Sequence, residues 1–204
     1  MHKEILTDKQ IKLLPLVKKF SDTFYLVGGT AIALHIGHRQ SIDFDLFTLT
    51  NFNNRTIHTR IKRNGFKFDR ELRNENGQLT IIINDTQMTF YQFLYEIELS
   101  EKLNSIIKMP DLVTLGAMKV FALGQRAKWK DYVDLYFIFK KYSLNEISTK
   151  AKKLFGNEYN ERIIKEQLAY FADIDYSQKV EFLPGFEVDD NIIKKFLLEV
   201  SLEK

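Results

Sequence analysis

Asp43 and Asp45 flank Phe44 in a run, residues 42–47, that alternates acidic and apolar side chains. That alternation predicts a β-strand, in which residues i and i+2 point to one face. Two carboxylates held side by side repel each other and raise at least one pKa unless a cation sits between them. Magnesium suits such a pair, because it takes one or two carboxylates and leaves its other positions to water and phosphate oxygens. Taken alone, the two acids also read as the solubilising charge of an exposed strand edge.

Upstream lies Gly28-Gly29-Thr30, where an apolar run at 24–27 ends and a helical pattern over 30–36 begins. Glycine permits positive φ and close backbone approach. The start of a helix presents free N–H groups and a positive dipole end to an anion, and a triphosphate fits there. Alone this is an ordinary strand-to-helix turn. Thirteen residues separate Gly29 from Asp43, so a phosphate cradle after one strand and a metal pair on the next can meet at one point. That is the geometry a metal-bound nucleoside triphosphate needs.

This combination resembles the signature of the polymerase-β-like nucleotidyltransferase superfamily. The run from Leu26 to Phe47, LVGGTAIALHIGHRQSIDFDLF, resembles one branch more closely, the AbiEii/AbiGii toxin nucleotidyltransferases. The similarity continues in Lys119–Arg126 (KVFALGQR) and Lys130–Tyr136 (KDYVDLY), so it spans about residues 24–140 in segments. The resemblance implies that Gly28, Gly29 and Thr30 hold the triphosphate and that Asp43 and Asp45 bind magnesium or manganese. It implies that Arg39 faces phosphate or orients the Asp43–Asp45 strand, and that Lys119, with Arg126, contacts the nucleotide. Asp131 or Asp134 becomes the acid of the last motif and a candidate for activating the acceptor. The wider superfamily adds a third carboxylate from a later strand. Here that strand, 88–93, has none, and Thr89 stands about where one is expected; Asp85 and Glu96 lie at or beyond its ends.

The residues themselves allow a second reading of the last two motifs. Lys119 and Arg126 are two helical turns apart, and Asp131 and Asp134 are i and i+3 in an otherwise apolar helix. Acids in such a helix are costly unless paired, so a buried ion-pair lock between two helices explains them equally well. His35, His38 and His58 lack a third ligand at useful spacing and read as packing or surface residues. Trp129 reads as a plug between two helices rather than a base-stacking platform.

The elements that must position these groups follow from periodicity and punctuation. Helical patterns cover 8–20, 30–36 and 55–64; apolar strand-like runs cover 24–27, 42–47, 79–83 and 88–94, the last two joined as a hairpin through residues 84–87. After Pro110, helices are predicted over 112–126, 130–141, 147–155, 158–171 and 191–202. This is an α+β chain: a nucleotidyltransferase-type mixed sheet flanked by helices over 1–105, then a helical domain over 106–204 that completes the active-site cleft.

The 204 residues, 45% of them hydrophobic, can bury a core without staples, and the absence of cysteine excludes disulfides and Cys-ligated zinc. The polar start, with no apolar run of about 20 residues, predicts a cytoplasmic protein without a membrane partner. Net charge is only +3, but residues 51–73 hold seven basic side chains against Asp69 and Glu71. That segment reads as a solvated helix face or as a surface for phosphate.

The expected reaction is transfer of a nucleoside monophosphate from an NTP to a hydroxyl, on a tRNA 3′ end or on a protein. By resemblance the chain is the toxin of a toxin–antitoxin or abortive-infection pair with a cognate antitoxin. Two other readings are a catalytically weak nucleotide-binding module acting through a partner protein and an aminoglycoside-type transferase. The second needs clustered acids for a cationic sugar, and the sequence offers none beyond those already assigned.

Overall fold

The computed structural model describes residues 1–125 and 127–203. Thr7 opens the first helix, α1 (Asp8–Lys18), with a capping box to Gln10, which satisfies two otherwise orphaned amides. Pro15 lies inside this helix rather than ending it. Strand β1 (Tyr25–Val27) runs straight into α2 (Gly28–Ile36), and β2 (Phe44–Thr48) follows after a loop. Helix α3 (Asn54–Arg63) leads to β3 (Arg70–Glu75), β4 (Gln78–Ile83) and β5 (Thr86–Gln92). Between β4 and β5 only Asn84 and Asp85 turn the chain, both at positive φ; this is the pattern of a tight two-residue hairpin, shorter than the four-residue link expected.

The five strands form one mixed sheet in the order β1-β2-β5-β4-β3. Only β2 and β5 are parallel; the chain between them crosses over through α3, β3 and β4. The sheet has two distinct faces. On one side Phe20 and Phe24 meet Phe90 at centroid distances of 4.8 and 5.2 Å, and Ile57 and Ile61 of α3 are buried. On the other side lie Asp45 and Phe47 of β2 with Thr89 and Tyr91 of β5, and α2 packs over β1 and β2.

A second hairpin, β6 (Glu101–Leu103) with β7 (Ile107–Met109), straddles the expected boundary at 105/106. A cut there would sever the hairpin. Pro110 and the Asp111 cap of α4 (Leu112–Leu123) are the next natural break. Helices α5 (Trp129–Phe139), α6 (Leu144–Phe155), α7 (Glu161–Ala169) and α8 (Asp190–Ser201) complete the chain. One continuous apolar core runs from Ile5 to Val200. Trp129 is buried against Tyr132 and Tyr176 under the Lys194 ammonium, a plug between packed elements. Among the described residues, no helix is long and apolar enough to cross a membrane.

Candidate active site

The β1–α2 junction brings the glycine turn onto the acidic strand. Val27 is the register partner of Asp45, so the next residue, Gly28, arrives beside that carboxylate. Gly28 has φ +73°, and a Cβ there would lie 2.1 Å from Asp45 Oδ2. Both the backbone angle and the space therefore demand glycine. Gly28→Ala is expected to cost about 1–2 kcal/mol through the left-handed backbone alone and to push Asp45 out of place. A thermal melt together with a nucleotide-binding titration of this variant checks both effects. An unchanged melting temperature with unchanged binding would contradict the close approach.

Gly29 is tight for a different reason: a Cβ there would meet the Arg39 guanidinium at 2.6 Å and the Ser41 hydroxyl at 3.2 Å. Thr30 is buried, and its hydroxyl donates to the Asp43 carbonyl and meets the Ser41 hydroxyl at 2.9 Å. The Thr30 side chain thus clamps α2 to the segment entering β2 and is already engaged inside the protein. Ser41, which the sequence reading missed, is the other half of that clamp.

Asp43 immediately precedes β2, and Asp45 lies within it. Asp43 is partly buried, with Lys130 Nζ 3.9 Å from its Oδ2. Burial pushes the Asp43 carboxyl above its ordinary pKa, opposed by Lys130, Lys128 and Arg39; burial likewise lowers Lys130. Its charge is therefore incompletely balanced by protein, which suits a carboxylate that takes up a cation. Among the described residues no cluster of three or more Asp, Glu, His or Cys could enclose a metal. Two hard oxygen donors fit magnesium or manganese only if water and phosphate complete the shell, the usual mode of a metal carried in with a triphosphate.

Asp45, Gly28 and Lys119 line a cavity of about 890 Å³ between the sheet and α4. The cavity wall continues through Phe47, Phe93, Tyr95 and Phe121, with neighbouring rings 5.0 to 5.7 Å apart. Sequence reasoning missed this aromatic wall, because its members come from β2, the segment after β5, and α4. Asp45 faces Thr89 across the parallel β2/β5 pair, so the position expected for a third acid holds a hydroxyl.

Behind the cavity lies a buried ion network. Lys119 Nζ is 2.8 Å from Asp131 Oδ1 and 2.9 Å from Asp134 Oδ2. Arg39 grips Asp134 in a two-pronged pair, Nε to Oδ1 at 2.7 Å and Nη2 to Oδ2 at 2.9 Å. His38 Nε2 is 2.9 Å from Asp134 Oδ1. Burial works against the charges of Lys119 and Arg39, yet the neighbouring carboxylates outweigh it and hold both pKa values above normal. Asp134 is fully enclosed; burial raises its pKa, but Arg39, Lys119 and His38 more than reverse this and hold it well below the carboxylate range. A carboxylate so enclosed cannot take a proton from an acceptor near neutral pH. The expectation that Asp134 activates the acceptor gives way to the ion-pair lock, and Arg39 is turned into that lock rather than outward. Asp131 is also buried, on the Lys119 ammonium. Arg126 lies outside the described residues.

The Arg39 loop is also held by the C-terminal part of the chain. Leu183 N donates to the His38 carbonyl, and Gln40 N donates to Glu181 O. His35 meets the Pro110 carbonyl at 3.0 Å and His58 meets Glu71 at 3.1 Å, so the histidines pack rather than converge. Helix α3, which carries much of the basic 51–73 segment, lies on the sheet face opposite the cavity: Arg60 sits over Phe20 and bonds Lys19 O and Asp22.

Comparison with known proteins agrees with this geometry. Residues 16–109 match the model of the family described as nucleotidyl transferase AbiEii toxin, type IV toxin–antitoxin system. An uncharacterised protein of Aquifex aeolicus is 30% identical over 182 residues, covering 86% of this chain and 87% of its own. Among solved structures, MenT4, a nucleotidyltransferase toxin of Mycobacterium tuberculosis, superposes with a TM-score of 0.63 at 14% identity, covering 95% of this chain and 82% of that one. JHP933 of Helicobacter pylori gives 0.55 at 15% identity, with 98% and 88% covered. The antibiotic-resistance factor ANT(2″)-Ia gives 0.51 at 10% identity, with 71% and 90% covered. At these identities the solved structures speak for a shared fold.

Proposed function

Because the chain belongs to the AbiEii nucleotidyltransferase toxin family, we propose that it moves a nucleoside monophosphate from an NTP to an acceptor hydroxyl, and that this transfer is the toxic act of a toxin–antitoxin pair. The observation that carries the reading is the convergence of Gly28, Asp45 and Lys119 on one cavity.

In the reaction, the acceptor hydroxyl loses its proton to solvent, its oxygen bonds to the α-phosphorus, the bond from that phosphorus to the bridging oxygen breaks, and pyrophosphate leaves. Gly28 and Gly29 allow the backbone at the start of α2 to approach the triphosphate, where helix amides stabilise anions. Lys119 lines the cavity and stays protonated, because Asp131 and Asp134 face its ammonium. That fixed charge stabilises the negative charge developing on the leaving group without reorganisation. Asp43 and Asp45 would hold magnesium or manganese; bound there, the ion neutralises phosphate charge and fixes the α-phosphoryl group for in-line attack. The aromatic wall offers the nucleobase a stacking surface. Asp134, with Arg39 and His38, acts as a positioning residue behind Lys119.

A tRNA 3′ end is the leading acceptor, and a protein hydroxyl is the other. The test is to incubate the purified chain with magnesium, each α-labelled NTP in turn and a cell extract. Label in a discrete RNA band supports the reading with RNA as acceptor; label on a polypeptide keeps the reaction and changes the acceptor. Nucleotide binding without transfer would replace the enzyme by a binding module acting through a partner, the reading favoured by Thr89 opposite Asp45.

A further inference from the structure

The strand register draws a continuous line across the cavity face of the sheet. Asp45 pairs with Thr89, Thr89 with Thr80, and Thr80 with Arg73. A parallel row runs from Phe47 through Tyr91 and Gln78 to Glu75, and on the other flank Gln87 pairs with Ile82 and Ile82 with Arg70. Register partners share a face. Since Thr80, Thr89, Gln78 and Gln87 all line the cavity, Arg70 and Arg73 stand on the same face at its outer edge. The alternate residues of β3 confirm the division: Glu71 reaches His58 and Asn74 reaches Asn54, both on α3 at the back.

Between Asp45 and the charged β3 edge this face carries mainly uncharged polar side chains, with Ile82 beside them, and is partly open. Tyr91 is 36% exposed, Gln78, Gln87 and Thr89 are partly exposed, and both arginines are exposed. Strands lie about 4.8 Å apart, so Arg73, three strands from Asp45, is about 14 Å from it. Exposed aromatic rings stack unpaired bases, neutral amides bond base edges, and guanidinium groups hold phosphates. Arg73 has an exposed partner, Glu75, at 3.0 Å; such surface pairs are worth about 0–1 kcal/mol, so a phosphate can displace it.

We propose that the open β5–β4–β3 face is the acceptor platform: the single-stranded 3′ end of an RNA lies across it, its phosphates on Arg70 and Arg73, its bases against Tyr91 and the Gln78 and Gln87 amides, and its terminal hydroxyl delivered toward Asp45. This rests on the nucleotidyl-transfer reading with RNA as acceptor and adds the acceptor's path. It also separates the basic 51–73 segment into a working part on β3 and a remainder on α3 that faces away.

The experiment compares Arg70→Glu/Arg73→Glu with a charge-matched control, Lys62→Glu/Arg63→Glu on α3. All four side chains are exposed, so the fold is spared. Fluorescence anisotropy of a labelled 12-nucleotide single-stranded RNA is expected to show at least tenfold weaker binding for the β3 variant and a salt slope lower by about one to two. The α3 variant is expected to stay within threefold of the unaltered chain, and NTP binding by both variants is expected to be unchanged. Undetectable binding by the unaltered chain, an unaltered affinity in the β3 variant, or an equal loss in the α3 variant would overturn the platform. Equal transfer of NMP to RNA by the β3 variant and the unaltered chain would also overturn it while leaving nucleotidyl transfer standing; label on a polypeptide alone would do the same. Absence of transfer to any acceptor would instead strike the underlying reading.

Discussion

Asp45→Asn is expected to reduce nucleotidyl transfer by about 10³-fold or more while the fold persists. The substitution keeps the shape of the side chain beside Gly28 and removes its negative charge. A metal ion contributes several kcal/mol of charge stabilisation to such a transfer, and each ~1.4 kcal/mol is tenfold in rate. The loss should appear in turnover with magnesium saturating, because on the proposed reading Lys119 and the α2 amides would still hold the phosphates. Expression of the variant should also relieve growth inhibition if transfer is the toxic act. A variant that keeps turnover within tenfold of the original would remove Asp45 from the metal pair and with it the assignment of the cavity.

Asp134→Ala is expected to have the largest effect on stability. It would leave Lys119 with one carboxylate partner in place of two and deprive the Arg39 guanidinium and His38 of their shared acceptor, all in a buried setting. Breaking a buried pair by removing one member costs about 3–5 kcal/mol, which for a chain of this size lowers Tm by roughly 10 °C. The same network gives the pH dependence its sign. Burial lowers the His38 pKa more than Asp134 restores it, so the folded chain holds His38 neutral and the unfolded chain binds its proton more readily. The stability linked to His38 is therefore complete above about pH 6.5 and is lost as pH falls below it. Asp134, depressed in the folded state, adds stability above about pH 4 that is lost only on further acidification. Thermal melts between pH 8 and 2 check both statements. A Tm independent of pH over that range would contradict the assigned protonation states.

Much of this was legible because the signals are local. The alternation at 42–47, the two glycines and their spacing pointed to the Asp43–Asp45 strand and to the strand-to-helix turn at Gly28 without any long-range contact. The helices after Pro110 also announced themselves, Asp111 accepting from Thr114 N as a cap should. Strand β3 was not legible: all six of its residues are exposed, so no apolar alternation marks it, and its pairing with β4 alone makes it a strand. The short hairpin β6–β7 is likewise defined by pairing and packing across three-residue strands. For Asp131 and Asp134 the sequence posed an ion-pair lock against a catalytic acid. Only the convergence of Arg39, His38 and Lys119, from three separate segments, could decide it for Asp134. The aromatic wall and the Arg39 loop's contact with residues 181–183 are tertiary for the same reason.

The central claim is that the bond broken lies between the α-phosphorus and the bridging oxygen, with the nucleotide moiety retained on the acceptor. It is tested most directly with an NTP labelled at the α position in one reaction and at the γ position in another, each with magnesium and an RNA acceptor. The account predicts α label covalently on the acceptor, γ label only in pyrophosphate, and the two in equal amounts. Label from the γ position on the acceptor, with α label left in nucleoside diphosphate, would mark a phosphotransferase and contradict it.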